Sequence, residues 1–205
     1  MLEHIPAWLG HVMAGLRAGT DKLAIVQLSD SFETLDLTSP AFAHEGRMPS
    51  RFTADGEGVS PPLVWSEPPV GTARMVLIVE DADAPTPQPL VHAIIWGLEA
   101  DAGRLAEGAI AADGEGDAAG RDVGRNSYLR EGWLPPDPPS GHGEHRYAFQ
   151  LFAVGVGAGD AGTTPGRSAV IEAITGHVLA AGLLIGKYSR AEEAPVGPVG
   201  MAAPA

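Results

Sequence analysis

The sequence predicts a single β-rich domain, of the all-β or α+β class, and three observations support this prediction. Of its 205 residues, 27 are glycine and 18 are proline, about twice the usual combined share, and both residues break helix interiors. Three runs of apolar and β-branched residues are typical of strands, whereas helical periodicity occurs only near the two ends of the chain. We therefore expect a β core with one helix near each end.

The three apolar runs predict the main strands of that core. They cover residues 74–80 (RMVLIVE), 91–98 (VHAIIWGL) and 145–154 (HRYAFQLFAV). The first run is dense in apolar and β-branched residues, as expected of a buried central strand. Shorter strands are predicted over residues 22–28 and 34–38.

An amphipathic helix is predicted over about residues 6–18, with Pro6 in its first turn. Its apolar face carries five residues at helical spacing: Trp8, Leu9, Val12, Met13 and Leu16. Because the polar face is not basic, we expect the helix to pack on its own domain or on a second copy of the chain rather than on a membrane. A homodimer is therefore expected.

A second helix is predicted over residues 168–184, where Ser168 is suited to the N-cap position. The apolar stripe of this helix consists of Val170, Ile171, Ile174, Val178 and Leu179. A short extended segment follows at residues 187–190, and residues 191–205 are predicted to be a disordered tail. The folded domain is thus expected to span residues 1–190.

Two long segments between these elements, residues 39–73 and 99–143, are rich in turn-forming residues. Loops of this length are rare in compact domains unless they have a function. We therefore expect the functional site to involve them.

The charge of the chain excludes several classes of function. There are 26 acidic and 13 basic residues, for a formal net charge of −13, which disfavours nucleic acids and anionic membrane surfaces as partners. The absence of cysteine excludes disulfides, thiolate zinc sites and cysteine nucleophiles. No apolar run is long enough for a transmembrane helix and no signal peptide is evident, so a cytoplasmic location is expected.

Motifs of common enzyme classes do not occur. The sequence contains no G-x-S-x-G, H-E-x-x-H or Walker A pattern. We expect a protein that is not an enzyme and that needs no cofactor. A metal-dependent hydrolase is kept as the least favoured alternative, because two histidines and two aspartates could in principle hold zinc.

Four polar residues stand at the ends of the three main strands. Asp81 and Asp83 follow the first strand, His92 opens the second and His145 opens the third. Each one alone is more typical of a cap or of a satisfied buried polar group. Taken together, they support an anion site about as well as they support these ordinary roles. The reason is that an imidazole held by a carboxylate can donate its other N–H to an anion.

At these residues the sequence resembles the phosphatidylethanolamine-binding protein family, and above all its bacterial Raf-kinase-inhibitor-like (YbhB/YbcL) branch. The similarity lies in the segments SPAFAHEGRMPSRFTADGEGVSPPLVW, VEDADAP, VHAIIW, GRNSY, GHGEHRYAFQLFAV and ITGHVLAAGLLIGKYSR. Together with the opening PAWLG…RAGTDKLA, which also resembles that branch, they occur in order over roughly residues 1–190. The resemblance implies a Greek-key β-sandwich with peripheral helices and a small anion pocket at one end.

The resemblance also implies the residues of that pocket. The D-x-D-x-P motif corresponds to Asp81, Asp83 and Pro85, the following strand supplies His92, and the G-x-H-R motif supplies Gly143, His145 and then Tyr147. The rim is expected at Pro136, Asp137 and Pro139. His92 and His145 would donate to the anion, whereas Asp81 would orient a histidine. Arg146 would point to the opposite face of its strand and form a salt bridge.

The chain departs from the family pattern next to the motifs. Ala82 stands where proline often separates the two acids, and Leu90-Val91 replaces the aromatic residue before the pocket histidine. The wall at Leu90 is therefore expected to be aliphatic.

The function that the sequence and the resemblance favour is non-enzymatic binding of small anions. The expected ligands carry phosphate, carboxylate such as acetate, or a phosphorylethanolamine-like group. The alternative is a protein-interaction or regulatory module, a modulator of kinases or proteases, for which the sequence specifies no partner.

Overall fold

Ten strands form two sheets in the computed structural model, which describes residues 7–28, 32–111 and 122–190. The strands are β1 (Glu33–Thr34), β2 (Leu37–Thr38), β3 (Gly46–Arg47), β4 (Leu63–Trp65), β5 (Thr72–Asp81), β6 (Leu90–Leu98), β7 (Gly103–Leu105), β8 (Asp122–Val123), β9 (His145–Gly155) and β10 (Val178–Tyr188). The large sheet has the order β1-β10-β9-β5-β6-β8, and β3 also pairs with β10. The small sheet has the order β2-β4-β7.

Strand directions bring the ends of the three main strands together. β5 runs antiparallel to both β6 and β9, so Asp81 at the end of β5 pairs with Leu90 of β6 and with Tyr147 of β9. β10 runs antiparallel to β9 and parallel to the short strands β1 and β3. One end of the large sheet thus collects the residues that follow β5 and those that open β6 and β9.

The large sheet is buried on both faces. Alternate residues of β5, such as Leu77 and Val79, pack with Leu63, Trp65 and other residues of the small sheet. The residues between them, such as Val76 and Ile78, pack on the opposite face in a cluster that includes residues of two helices. Burial of both faces explains why the β5 segment is apolar at almost every position.

In the described ranges, three short helices surround the sheets: α1 (Ala7–Met13), α2 (Ala24–Gln27) and α3 (Arg167–Ile174). The strand-rich architecture confirms the predicted fold class. The same ranges contain 3₁₀ turns at Thr20–Lys22 and Ser50–Phe52. In the described part of the chain, no helix is long and apolar enough to cross a membrane.

The strand predicted over residues 22–28 is wrong, because this segment contains a 3₁₀ turn and helix α2. Two buried side chains of the large sheet satisfy the first N–H groups of α2. The amide of Ala24 donates to Glu80 Oε2 over 2.8 Å, and the amide of Ile25 donates to Gln150 Oε1 over 2.8 Å. The first N–H groups of a helix have no partner within the helix, which destabilises a short one. These two contacts with the sheet satisfy them and stabilise helix α2.

The helix predicted over residues 168–184 is half right. Helix α3 ends at Ile174, its N-cap is Gly166 rather than Ser168, and residues 178–184 belong to strand β10 after a turn. At Gly182 and Gly186 of β10 a Cβ atom would meet the Leu35 carbonyl oxygen at 2.6 Å or Met48 Sδ at 2.5 Å. A strand buried on both faces has the same apolar density as a buried helix, so periodicity cannot separate them.

Of the predictions for the two ends of the chain, one can be compared with the structure and the other cannot. The N-terminal helix covers Ala7–Met13 instead of residues 6–18, and residues 14 and 15 form a turn. The tail predicted at residues 191–205 lies outside the described residues, as do residues 1–6.

Candidate functional site

A cavity of about 260 Å³ opens at the end of the large sheet where β5, β6 and β9 meet. We call it the end pocket. Its lining residues are Ala54, Asp81, Ala84, Pro85, Leu90, His92, Tyr128, Arg130, Leu134, Pro135, Asp137, Pro138, Pro139 and His145. Apolar proline, alanine and leucine side chains make up most of the wall, and a few ionisable groups converge in it.

The end pocket contains six of the residues that the sequence marked for the site. They are Asp81, Pro85, His92, Asp137, Pro139 and His145. Four others, Asp83, Pro136, Gly143 and Tyr147, do not line the cavity. Leu90 does line it, so the wall beside His92 is aliphatic. The part that these residues take in ligand binding stays a prediction.

His145 is hydrogen-bonded at both ring nitrogens. Its Nδ1 lies 2.7 Å from Asp81 Oδ2, and its Nε2 lies 2.7 Å from Nδ1 of His142. His142 in turn directs its Nε2 at the carbonyl oxygen of Met13, 2.9 Å away at the end of α1. Both ring nitrogens of His145 thus contact protein atoms, and its donation to an anion stays a prediction. Together with His142, His145 joins Asp81 to the end of helix α1.

The outer contacts of the two rings require ring N–H donors. The Asp81 carboxylate and the Met13 carbonyl only accept hydrogen bonds, so His145 Nδ1 and His142 Nε2 donate in these contacts. Burial and the neighbouring His145 lower the pKa of His142, against the opposing effect of its hydrogen bond to the Met13 carbonyl.

His92 differs from His145 because one of its nitrogens has no partner. Its Nδ1 lies 2.6 Å from the carbonyl oxygen of Leu134, and the Leu134 amide donates back to the His92 carbonyl over 2.8 Å. Nε2 is buried and has no hydrogen-bond partner among the described residues. Burial lowers the pKa of His92, against the opposing effect of Asp81.

Asp83 and Arg146 form an ion pair next to the pocket. Oδ2 of Asp83 accepts hydrogen bonds from the amide and Nε of Arg146, and Oδ1 accepts from Arg146 Nη2 over 2.7 Å and from Arg17 Nη1 over 2.7 Å. Burial raises the pKa of Asp83, but the hydrogen bonds from Arg146 and Arg17 outweigh it and bring the pKa to about 2. Asp83 thus stays charged and joins three segments of the chain.

The remaining predicted residues shape the surroundings of the pocket. Gly143 has a φ of 94°, which a residue with a Cβ rarely adopts, and so allows the turn between His142 and His145. The carbonyl of Pro136 accepts the amide of Ala54 over 2.9 Å. Tyr147 is fully buried between the two pocket histidines, and its hydroxyl has no partner among the described residues.

The sequence did not mark Arg130, which lines the end pocket and is exposed. Its guanidinium forms no side-chain hydrogen bond or ion pair with the rest of the described chain. The other arginine near the pocket, Arg190, is neutralised by Asp55 and Asp137. A signal was available, since Arg130 lies between the GRNSY segment and the proline-rich rim.

Metal binding finds no support in the geometry of the described residues. Within these ranges, no group of three or more histidine, aspartate or glutamate side chains is placed to hold a metal ion. The hydrogen bonds of Asp81, His145 and His142 to one another leave few ligand atoms free.

Comparisons with known proteins agree with the architecture. The family model described as phosphatidylethanolamine-binding protein matches residues 38–189, which is most of the chain. The chain belongs to this family. The sequence is 38% identical over 166 residues to a UPF0098 protein of Methanothermobacter thermautotrophicus, covering 76% of this chain and 99% of that protein. The resemblance seen in the sequence is thereby confirmed.

Two solved structures share the fold. A phosphatidylethanolamine-binding protein homologue of Chlamydia trachomatis, CT736, is 31% identical with a TM-score of 0.67, covering 78% of this chain and 99% of that one. Escherichia coli YbcL is 23% identical with a TM-score of 0.70, covering 77% and 99%. LppC of Mycobacterium tuberculosis, described as a putative lipoprotein, is 39% identical over 120 residues, covering 58% of this chain and 55% of that protein.

Proposed function

We propose that this protein binds small oxyanions, carrying phosphate or carboxylate, in the end pocket without transforming them. One observation carries the proposal: among the described residues, the pocket holds a buried imidazole nitrogen without a hydrogen-bond partner and an arginine without an ion pair. Buried polar atoms are normally hydrogen-bonded, so His92 Nε2 marks a place for a ligand atom. A free guanidinium in a chain of net charge −13 supplies local attraction for an anion.

The arrangement supports binding rather than catalysis. Among the described residues, the lining contains no serine, threonine, cysteine or lysine that could act as an activated nucleophile. Asp81 is bound by His145 and by the amide of Asp83, so neither it nor His145 is free to act as a general base.

Titration with inorganic phosphate by isothermal calorimetry tests the proposal. We expect saturable one-to-one binding, weakened about tenfold or more by Arg130→Gln because the anion loses its cation. Arg104→Gln is the matched control, since Arg104 is also exposed and lies in a different cleft. Absence of phosphate binding, or equal binding by the Arg130 and Arg104 variants, overturns the assignment of the end pocket.

Homodimerisation through α1 is also proposed. Trp8, Val12 and Leu16 are exposed apolar residues on and after this helix, and covering such residues is favourable. Light scattering on the full chain should give twice the mass of one chain, and Trp8→Glu with Val12→Glu should return it to a monomer. A monomeric wild type contradicts this.

The cytoplasm remains the proposed location. Because LppC is described as a putative lipoprotein, cell fractionation followed by detection of this chain is the direct test. Recovery in the membrane fraction contradicts the proposal.

A further inference from the structure

The hydrogen bonds of His92 determine what its free nitrogen can do. The Leu134 carbonyl only accepts, so Nδ1 carries the proton in that contact. The returning hydrogen bond from the Leu134 amide to the His92 carbonyl fixes the two residues against each other. A neutral His92 therefore presents Nε2 as a lone pair, which accepts a hydrogen bond and does not donate one.

The charged groups around His92 do not change this assignment. Asp81 on β5, His145 on β9 and Asp137 in the proline-rich loop face it. Asp81 is committed to His145 and to the Asp83 amide, and Asp137 pairs with Arg190 over 2.5 Å. A second proton on His92 would create a buried cation whose N–H has no acceptor among the described residues, which is costly. Burial also lowers the pKa of His92.

While His92 is neutral, a ligand oxygen that contacts Nε2 must therefore bring a proton. We infer that the end pocket selects oxyanions that carry an O–H group, namely hydrogen phosphate and, below their second pKa of about 6, phosphomonoesters, over sulfate and phosphodiesters, whose sulfate or phosphate oxygens carry none near neutral pH. The inference rests on the proposed function and names its ligand class. The O–H donates to His92 Nε2, and a charged oxygen pairs with Arg130. A phospholipid headgroup is a diester, so free phosphate or a monoester fits this chemistry and an intact phospholipid does not.

The two residues have separable roles. Arg130 attracts any oxyanion, because a guanidinium pairs with charged oxygen whether or not another oxygen is protonated. His92 discriminates, because a buried acceptor that meets a second acceptor is left unpaired and desolvated. Sites that hydrogen-bond a ligand hydroxyl reject analogues that lack it much more strongly than apolar pockets reject a change of size.

The decisive experiment compares phosphate with sulfate at about pH 8, by isothermal calorimetry on the wild-type full chain. Both ions are then mainly tetrahedral dianions, and the O–H of hydrogen phosphate is the difference between them. We expect sulfate to bind about 100-fold more weakly or worse. Equal affinities overturn the inference and leave the proposed function standing, whereas no binding of phosphate overturns both.

Two esters distinguish the possible sources of the phosphate group. Phosphorylethanolamine, a monoester, should bind at about pH 6 and lose affinity about tenfold per pH unit above its second pKa of about 6, while free phosphate should not follow this decline. Dimethyl phosphate, a diester like the phospholipid linkage but without any other N–H or O–H group, should bind about 100-fold more weakly than the monoester at that pH. Binding of the diester as tight as that of the monoester contradicts the inference.

Variants assign the selectivity to one residue. His92→Phe should bring the affinities for phosphate and sulfate within about threefold of each other, while Arg130→Gln should weaken both and leave their ratio unchanged. Thermal unfolding establishes that each variant is folded. Should His92→Phe not fold, the wild-type comparison of the two dianions still decides the question. An unchanged ratio in a folded His92→Phe assigns the selectivity elsewhere and overturns the role of His92.

Discussion

Two neighbouring carboxylates at the end of β5, Glu80 and Asp81, are both buried but belong to opposite kinds of environment. Glu80 accepts hydrogen bonds from the Ala24 amide and Gln150 Nε2, each over 2.8 Å, and from Arg167. Asp81 accepts from His145 and from the Asp83 amide, at the wall of a cavity. Glu80 thus ties helices α2 and α3 to the sheet.

The atoms around the two carboxylates show the difference. Arg167, the partner of Glu80, donates its other hydrogen bonds to the Lys22 carbonyl and to Gln27 Oε1, so that network is complete. Near Asp81, His92 Nε2 and the Tyr147 hydroxyl have no partner in the described chain. A complete buried network stabilises the fold, whereas an incomplete one in a cavity marks where a ligand belongs.

Breaking the Glu80 network should have the largest effect on stability and none on the pocket. Arg167→Ala leaves the Glu80 carboxylate buried without its cation, which destabilises proteins by about 3–5 kcal/mol. Urea unfolding measures it. The control is Arg125→Ala, whose exposed side chain bonds to the Thr164 carbonyl and whose loss should change stability by less than about 0.5 kcal/mol. A loss below about 1 kcal/mol in Arg167→Ala contradicts the comparison, as does a weaker phosphate affinity in this variant.

Removing His142 tests the chain of rings on the Asp81 side. His142→Ala leaves His145 Nε2 without a partner and frees the Met13 carbonyl, which should destabilise by up to about 3 kcal/mol. Hydrogen exchange should quicken in α1 and in its following turn before it does so in the sheet. His11→Ala, an exposed residue of the same helix, should change neither. Unchanged exchange in α1 would show that the rings do not hold the helix.

Asp83 makes the stability of the pocket end depend on acid. Its pKa is about 2 in the folded chain against 3.8 for an ordinary aspartate, so its contribution of about 2 kcal/mol is complete above about pH 4 and is lost as the pH falls toward 2. Unfolding of wild type and Asp83→Asn at pH 5 and near pH 2 measures this. The difference between them should shrink in acid, and a constant difference contradicts the assigned role.

The smallest expected effect is a difference in stability between two tyrosine variants. Tyr147→Phe removes a buried hydroxyl without a partner and should leave stability unchanged or slightly raised. Tyr188→Phe removes a hydroxyl that donates to Asp55 Oδ2 over 2.8 Å and should cost about 1 kcal/mol. Thermal unfolding of both variants checks the contrast. Equal losses would mean that the Tyr147 hydroxyl is satisfied.

The three main strands could be predicted because each one concentrates apolar residues enough to need burial. β5, β6 and β9 lie within one or two residues of their predicted limits. The segments at 22–28 and 178–184 could not be assigned from their pattern. Helix α2 depends on Glu80 and Gln150, more than fifty residues away, and β10 depends on the close approach of Leu35 and Met48 at its glycines.

The candidate site likewise has a part that could be predicted from the sequence and a part that could not. The resemblance carried by D-x-D-x-P, by the strand that follows it and by G-x-H-R was sufficient to predict that Asp81, His92 and His145 lie at one end of the sheet. It did not give the hydrogen bond between His142 and His145, or the approach of Arg130 to the pocket, although both residues lie in or next to segments that resemble the family. Each acquires its neighbours only when distant loops fold together.

The sequence by itself determined a β-rich domain, its family and the acids and histidines at its strand ends, because apolar density and short motifs are local properties. Only the tertiary structure decided that His92 keeps one ring nitrogen without a partner in the described chain and that both nitrogens of His142 and of His145 are engaged. That choice depends on a carbonyl 42 residues beyond His92 and on a helix end 129 residues before His142. The sequence does not distinguish the two nitrogens of a histidine ring. In His92, a hydrogen bond to a distant backbone oxygen makes one nitrogen a donor and leaves the other for a ligand.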